Sequence, residues 1–105
     1  MTDIPLVDLK ANYRSIKDEV DKEIAKTIDT CYFVNGPEVA KFEKEFSEFT
    51  GTDHCISCNS GTDALVLALK SLGIGEGDEV ITQANTFVAT ILAVSHVGAV
   101  PVLVD

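Results

Sequence analysis

Cys58-Asn59-Ser60-Gly61-Thr62-Asp63-Ala64-Leu65 is the stretch that decides how this chain folds. It is predicted to begin where a short β-strand over residues 54–58 stops, and to end inside the first turn of a helix. A strand-to-helix turn gathers unpaired backbone N–H groups and the positive end of the helix dipole at one point. Ser60 and Thr62 add hydroxyls there, and Gly61 admits a ligand close to the backbone because it has no Cβ. Taken together these residues read as a phosphate cup. The bland alternative is a plain helix start, capped by Ser60 or Thr62 for structural reasons.

Downstream of the cup the pattern alternates. A helix is predicted over residues 62–72, with Leu65, Ala68, Leu69 and Leu72 inward, and then a loop carrying Gly73, Gly75 and Gly77. A strand over 79–82 follows, then a helix over 86–97 ended by Gly98, with Asn85 or Thr86 as its cap. A third strand covers 100–104 and is almost wholly apolar, so it is expected to be covered on both faces. Strand, helix, strand, helix, strand with short loops is the signature of an α/β fold with a parallel sheet, a βαβαβ unit.

Upstream the pattern is helical. Residues 1–9 read as an extended arm interrupted by Pro5. From about residue 10 to 31, Tyr13, Ile16, Val20, Ile24 and Ile28 recur at intervals of three and four, which is one face of an amphipathic helix. Asn35-Gly36 marks a turn, Pro37 suits the first turn of a second helix, and Gly51 suits its C-terminal cap. Val39, Phe42, Phe46 and Phe49 form that helix's apolar stripe and are expected to pack in a core.

The length of 105 residues sets a limit of one domain, and a net charge of −9 argues against nucleic acid or an anionic membrane as partner. The N-terminus lacks the features of a signal peptide, and no apolar run is long enough to span a bilayer, so a cytoplasmic location is expected. Cys55 and Cys58 spell C-x-x-C, but residues three apart on a strand diverge and no second ligand pair follows. No metal site is expected, and the cysteines read as small buried residues. The glycines at 73, 75 and 77 follow a helix and precede a strand, the reverse of a dinucleotide-binding turn, and no Gly-Lys-Ser/Thr is present for a Walker-type loop. Asp105 closes on the end of a strand whose edge is left open, so the 105 residues are expected to be the front of a longer protein.

The second strand-to-helix junction, Gln83-Ala84-Asn85-Thr86-Phe87-Val88-Ala89-Thr90, is expected on the same sheet edge as the cup, where ligands of α/β proteins collect. Phe87 would offer a flat ring beside the phosphate, unless it is simply packed in the core.

Four blocks then resemble one family. Asn59-Ser60-Gly61-Thr62-Asp63-Ala64-Leu65, Gly77-Asp78-Glu79-Val80-Ile81, Thr86-Phe87-Val88-Ala89-Thr90 and Gly98-Ala99-Val100-Pro101-Val102 closely resemble the pyridoxal-phosphate-dependent sugar aminotransferases of the DegT/DnrJ/EryC1/StrS family. Pro5-Leu6-Val7-Asp8-Leu9 and Gly36-Pro37-Glu38-Val39 with Phe42-Glu43 are similar to its opening segments. The resemblance implies a type I aminotransferase fold, with residues 1–51 as an N-terminal arm and two helices. Residues 52–105 would then begin the cofactor-binding large domain. It implies that Gly61, Thr62 and Asp63, with Ser60 beside them, hold the phosphate of pyridoxal 5'-phosphate, and that Phe87 stacks on the ring. It places the Schiff-base Lys and the pyridine-pairing Asp beyond residue 105, so this segment holds no catalytic residue. None of the seven lysines (10, 17, 22, 26, 41, 44 and 70) matches that Lys, and Asp105 does not match that Asp. His54 and His96 read as structural.

The activity implied is transfer of an amino group, from glutamate, to a nucleotide-linked keto sugar, by a homodimer with active sites at the interface. Two alternatives stand beside it. One is a dehydratase of the same family, with His in place of the Schiff-base Lys, and the other is a phosphate-binding module without catalysis.

Overall fold

The structure, a computed structural model, describes residues 5–105. The first four residues of the expected arm lie outside the described residues. The chain divides into two compact units, Met1–Cys55 and Ile56–Asp105.

The first unit holds two helices. α1 (Leu9–Thr30) starts where Asp8 Oδ1 accepts from the N–H of Ala11 at 2.9 Å, a side-chain cap that satisfies one of the helix's orphan donors. It stops at Cys31, which takes the left-handed conformation (φ 55°) and donates its N–H to Ile28 O. α2 (Pro37–Thr50) has Pro37 in its first turn, where the missing N–H costs nothing, and Gly51 in the left-handed cap position (φ 70°). Both helices therefore fall where apolar spacing and punctuation place them.

Their apolar faces are another matter. Ile16, Ile24 and Ile28 on α1 stay exposed and border a groove of about 590 Å³ floored by Val20, Ile24, Ile28 and Phe33. The α2 stripe, expected in a core, instead packs on itself. The rings of Phe42 and Phe46 lie 5.4 Å apart and those of Phe46 and Phe49 6.4 Å, with Phe49 86% exposed. Stacking along one helix covers ring faces but not ring edges, and nothing else in this unit lies over them. Polar contacts tie the two helices instead. Lys26 Nζ donates to Glu38 Oε1 at 2.6 Å and lies 3.6 Å from Glu23 Oε2.

The second unit is built as β1 (Glu79–Gln83), α4 (Val88–His96) and β2 (Val100–Val104), preceded by α3 (Gly61–Ser71). β1 and β2 pair in parallel, with Glu79 opposite Val100 and Gln83 opposite Val104. The ladder continues at both ends, through Val100 N–H to Asp78 O at 2.9 Å and Ala84 N–H to Val104 O at 2.8 Å. α4 crosses between the strands and packs on both, and α3 packs on α4. The buried centre is small and lies along this crossover: Ala93 (0% exposed), Val94 (2%) and Ala99 (6%).

Two expectations are corrected here. Residues 54–58 form no strand, so the sheet has two strands and the βαβαβ unit reduces to β1–α4–β2. A strand exists through its ladder, and among the described residues β1 and β2 bond only to each other. β2 is also not covered on both faces, since Val100, Leu103 and Val104 are exposed. Apolar content marks a strand's tendency to be buried, and only α4 is present to bury it.

Gly98 ends the α4 connection at φ 84°. Replacing it with Ala forces a Cβ into a left-handed residue and should lower stability by about 1–2 kcal/mol, read as a lower thermal midpoint. Gly61→Ala is the control, because a Cβ there meets nothing within 4 Å, and it should leave the midpoint unchanged.

The Lys26 hydrogen bond, followed by a backbone bond, holds the Glu38 carboxyl below the ordinary carboxylate range. A group depressed in the folded state stabilises above its unfolded pKa and loses that contribution as pH falls through the folded value. NMR titration of Glu38 should therefore show a low midpoint that returns toward normal in Lys26→Met.

Candidate functional site

The cup forms at the start of α3. Ser60 is the N-cap, with extended backbone (φ −157°, ψ 159°), and its Oγ accepts from Asp63 N–H at 3.1 Å. The same hydroxyl donates to Asp63 Oδ2 at 2.9 Å. Ser60 and Asp63 thus satisfy each other, and the Asp63 carboxylate lies in the first turn, where the helix dipole favours it. Ala64 N–H already bonds Ser60 O, the first bond of the helix proper.

What remains is more telling. The N–H groups of Gly61 and Thr62 come too early in α3 to have an intrahelical acceptor, and none is found among the described residues. The Thr62 hydroxyl is half-buried and likewise makes no hydrogen bond among the described residues. Space on the Cβ side of Gly61 is open. Two backbone donors and one hydroxyl are therefore left facing the helix's positive end. Cys58, just before the cup, donates its thiol to Ser60 O at 3.3 Å, which braces the turn from behind.

The second junction follows β1. Parallel pairing brings Gln83 level with Val104, so residues 84–87 leave the sheet at its carboxyl edge. Phe87 is the N-cap of α4, with extended backbone (φ −68°, ψ 139°) and no side-chain cap bond. Neither Asn85 nor Thr86 fills that place, which corrects the expected cap. Phe87 is 78% exposed, so it is not a core residue. The residues that organise this junction were missed in the sequence. Thr86 Oγ1 and Thr90 Oγ1 lie 3.0 Å apart, a pair signalled only by two threonines four positions apart across a helix start.

Ser60, Gly61, Thr62 and Asp63 are thus gathered at one helix start, and Phe87 stands at the start of the helix packed against it. The cysteines are not the buried residues expected. Cys31 and Cys58 are exposed, Cys55 is half-buried, and all three are free. Among the described residues no group of three or more His, Cys, Asp or Glu side chains is placed to hold a metal, and no helix is long and apolar enough to cross a membrane.

Comparison with known proteins gives this geometry a context. Residues 14–105 match the DegT/DnrJ/EryC1/StrS aminotransferase family. The chain is 49% identical over 102 residues to the dTDP-3-amino-3,4,6-trideoxy-alpha-D-glucose transaminase of Streptomyces venezuelae, covering 97% of this chain and 27% of that protein. The crystal structure of S. venezuelae DesV in complex with a ketimine intermediate superposes with a TM-score of 0.88 at 50% identity, over 96% of this chain and 27% of that one. NtdA from Bacillus subtilis, solved with bound cofactor PMP, gives 0.87 at 33% identity, over 100% of this chain and 24% of that one. Four helices and a two-stranded parallel sheet, seen among the described residues, therefore match the aminotransferase fold. The chain spans about a quarter of the length of the relatives it matches. It belongs to the DegT/DnrJ/EryC1/StrS aminotransferase family.

Proposed function

We propose that the chain is the N-terminal portion of a pyridoxal-phosphate-dependent enzyme that moves an amino group, from glutamate, to a nucleotide-linked keto sugar. Residues 52–105 would begin its cofactor-binding domain. The observation that carries this reading is the division of labour at the start of α3. Ser60 and Asp63 are bonded to each other, while Gly61 N–H, Thr62 N–H and the Thr62 hydroxyl remain free to donate.

The residues present fit the cofactor's phosphate. A dianion needs several donors converging on one point, favourable charge and room, and the open side of Gly61 supplies the room. A charged acceptor also strengthens each hydrogen bond relative to a neutral one. Ser60 and Asp63 shape the turn, Gly61 and Thr62 donate, and Phe87 gives a flat exposed face on which the pyridine ring rests. The cofactor supplies the electron sink and carries the amino group between donor and sugar. This segment anchors it at one end and orients its ring, so that chemistry elsewhere in the site meets a fixed target.

The substrate class follows the relatives, among them the dTDP-sugar transaminase of S. venezuelae. A homodimer with active sites at the interface and a cytoplasmic location belong to the same proposal.

Amino transfer is tested with the complete enzyme by adding glutamate and then a nucleotide-linked keto sugar, and following cofactor absorbance. Reversal of the glutamate-induced change by the sugar supports the reading. Release of water from the sugar without amination overturns it. Thr62→Val should weaken cofactor binding by about 1–3 kcal/mol, the scale of a hydrogen bond to a charged group. An unchanged dissociation constant would take Thr62 out of the cup. Phe87→Leu should cost about 0.5–1.5 kcal/mol of affinity, the worth of offset stacking beyond area burial. Because Phe87 lies outside the core, its thermal midpoint should not move.

A further inference from the structure

We infer that Thr86 and Thr90 are positioning residues for Phe87, a role that rests on the ring-stacking reading above. Phe87 is 78% exposed, so no neighbouring side chain fixes its ring. The direction in which it projects is then set by its backbone, and that backbone sits at a helix N-cap without a side-chain cap bond. An uncapped helix start is ordinarily the first part of a helix to fray.

Here a bracket closes around Phe87. Thr90 N–H donates to Phe87 O at 3.0 Å, and Thr90 Oγ1 meets Thr86 Oγ1 at 3.0 Å. Thr90 therefore holds the carbonyl of residue 87 with its backbone and the side chain of residue 86 with its hydroxyl. Phe87 is clamped from both sides of its peptide unit. The hydroxyl pair is partly buried, where a hydrogen bond competes less with water. On the other side of the junction, Ala84 N–H to Val104 O anchors the loop to the sheet. The residues from 84 to 90 are thus pinned at both ends, with the ring projecting from the held segment. An exposed aromatic presented in this way loses little entropy when a planar ligand lands on it, which is the advantage of preorganisation.

The test is a double-mutant cycle on cofactor affinity in the complete enzyme, joined to amide hydrogen exchange of the cofactor-free protein. Thr90→Val should raise the dissociation constant several-fold, and Thr90→Ser, which keeps the hydroxyl, should restore it. In the Phe87→Leu background, Thr90→Val should add no further loss, because its effect acts through the ring. Without cofactor, exchange at residues 87–89 should accelerate in Thr90→Val and not in Thr90→Ser. Thr86→Val repeats the experiment from the other hydroxyl and serves if Thr90→Val proves too unstable.

A weakened Phe87→Leu beside an unchanged Thr90→Val and Thr86→Val overturns the positioning role alone. A Thr90→Val loss of equal size with and without Phe87 overturns it too, since the threonine then acts by another route. Unchanged affinity in Phe87→Leu overturns the stacking reading, and the positioning role falls with it.

Discussion

Two parallel strands cannot be joined by a tight turn, and the second unit is a consequence of that constraint. The chain leaving β1 must return to the opposite end of the sheet before β2 can pair with it, and α4 is the segment that makes the return. Since α4 has to lie on the sheet, it carries the only buried side chains of the described residues, apart from Ala99 just beyond it. Small residues at those positions, Ala93 and Ala99, let the helix and its exit approach the strands closely. α3 is then placed by packing on α4 rather than by pairing with the sheet.

The same constraint creates the chemistry at the helix starts. In a parallel arrangement the loops leaving the strands emerge together at the carboxyl edge, so Phe87 leaves the sheet beside the end of β2. A helix start always has more backbone donors than its own carbonyls can accept. At α3 the Ser60–Asp63 pair takes one of them and leaves those of Gly61 and Thr62. At α4 no side chain takes any, and the threonine pair steadies the turn instead. One helix start is arranged to offer donors, and the other to offer a ring.

The first unit shows how helices can be well specified without being buried. Asp8 and Gly51 set where α1 begins and α2 ends by local hydrogen bonds alone. Exposed ion pairs such as Lys41–Glu45 and Lys44–Glu48 decorate the outer face and contribute little each. Apolar stripes on both helices stay open to solvent within the unit. A helix's identity is set by spacing and caps, whereas its burial needs a second surface.

That difference separates what the amino-acid sequence determines from what tertiary structure decides. The four helices, β1 and β2, and the anion-suited turn at Ser60-Gly61-Thr62-Asp63 were all legible, because spacing, caps and glycine placement act over a few residues. The failed strand at residues 54–58 was not, because its pattern speaks to local preference and a ladder needs a partner remote in sequence. Exposure of Phe42, Phe46, Phe49 and β2 was hidden for the same reason: apolar residues declare that they would be buried, not what will cover them. At the second junction the sequence offers Asn85, Thr86 and Phe87 equally. Only the path of the backbone from the sheet edge into α4 made Phe87 the exposed N-cap and brought Thr86 to Thr90.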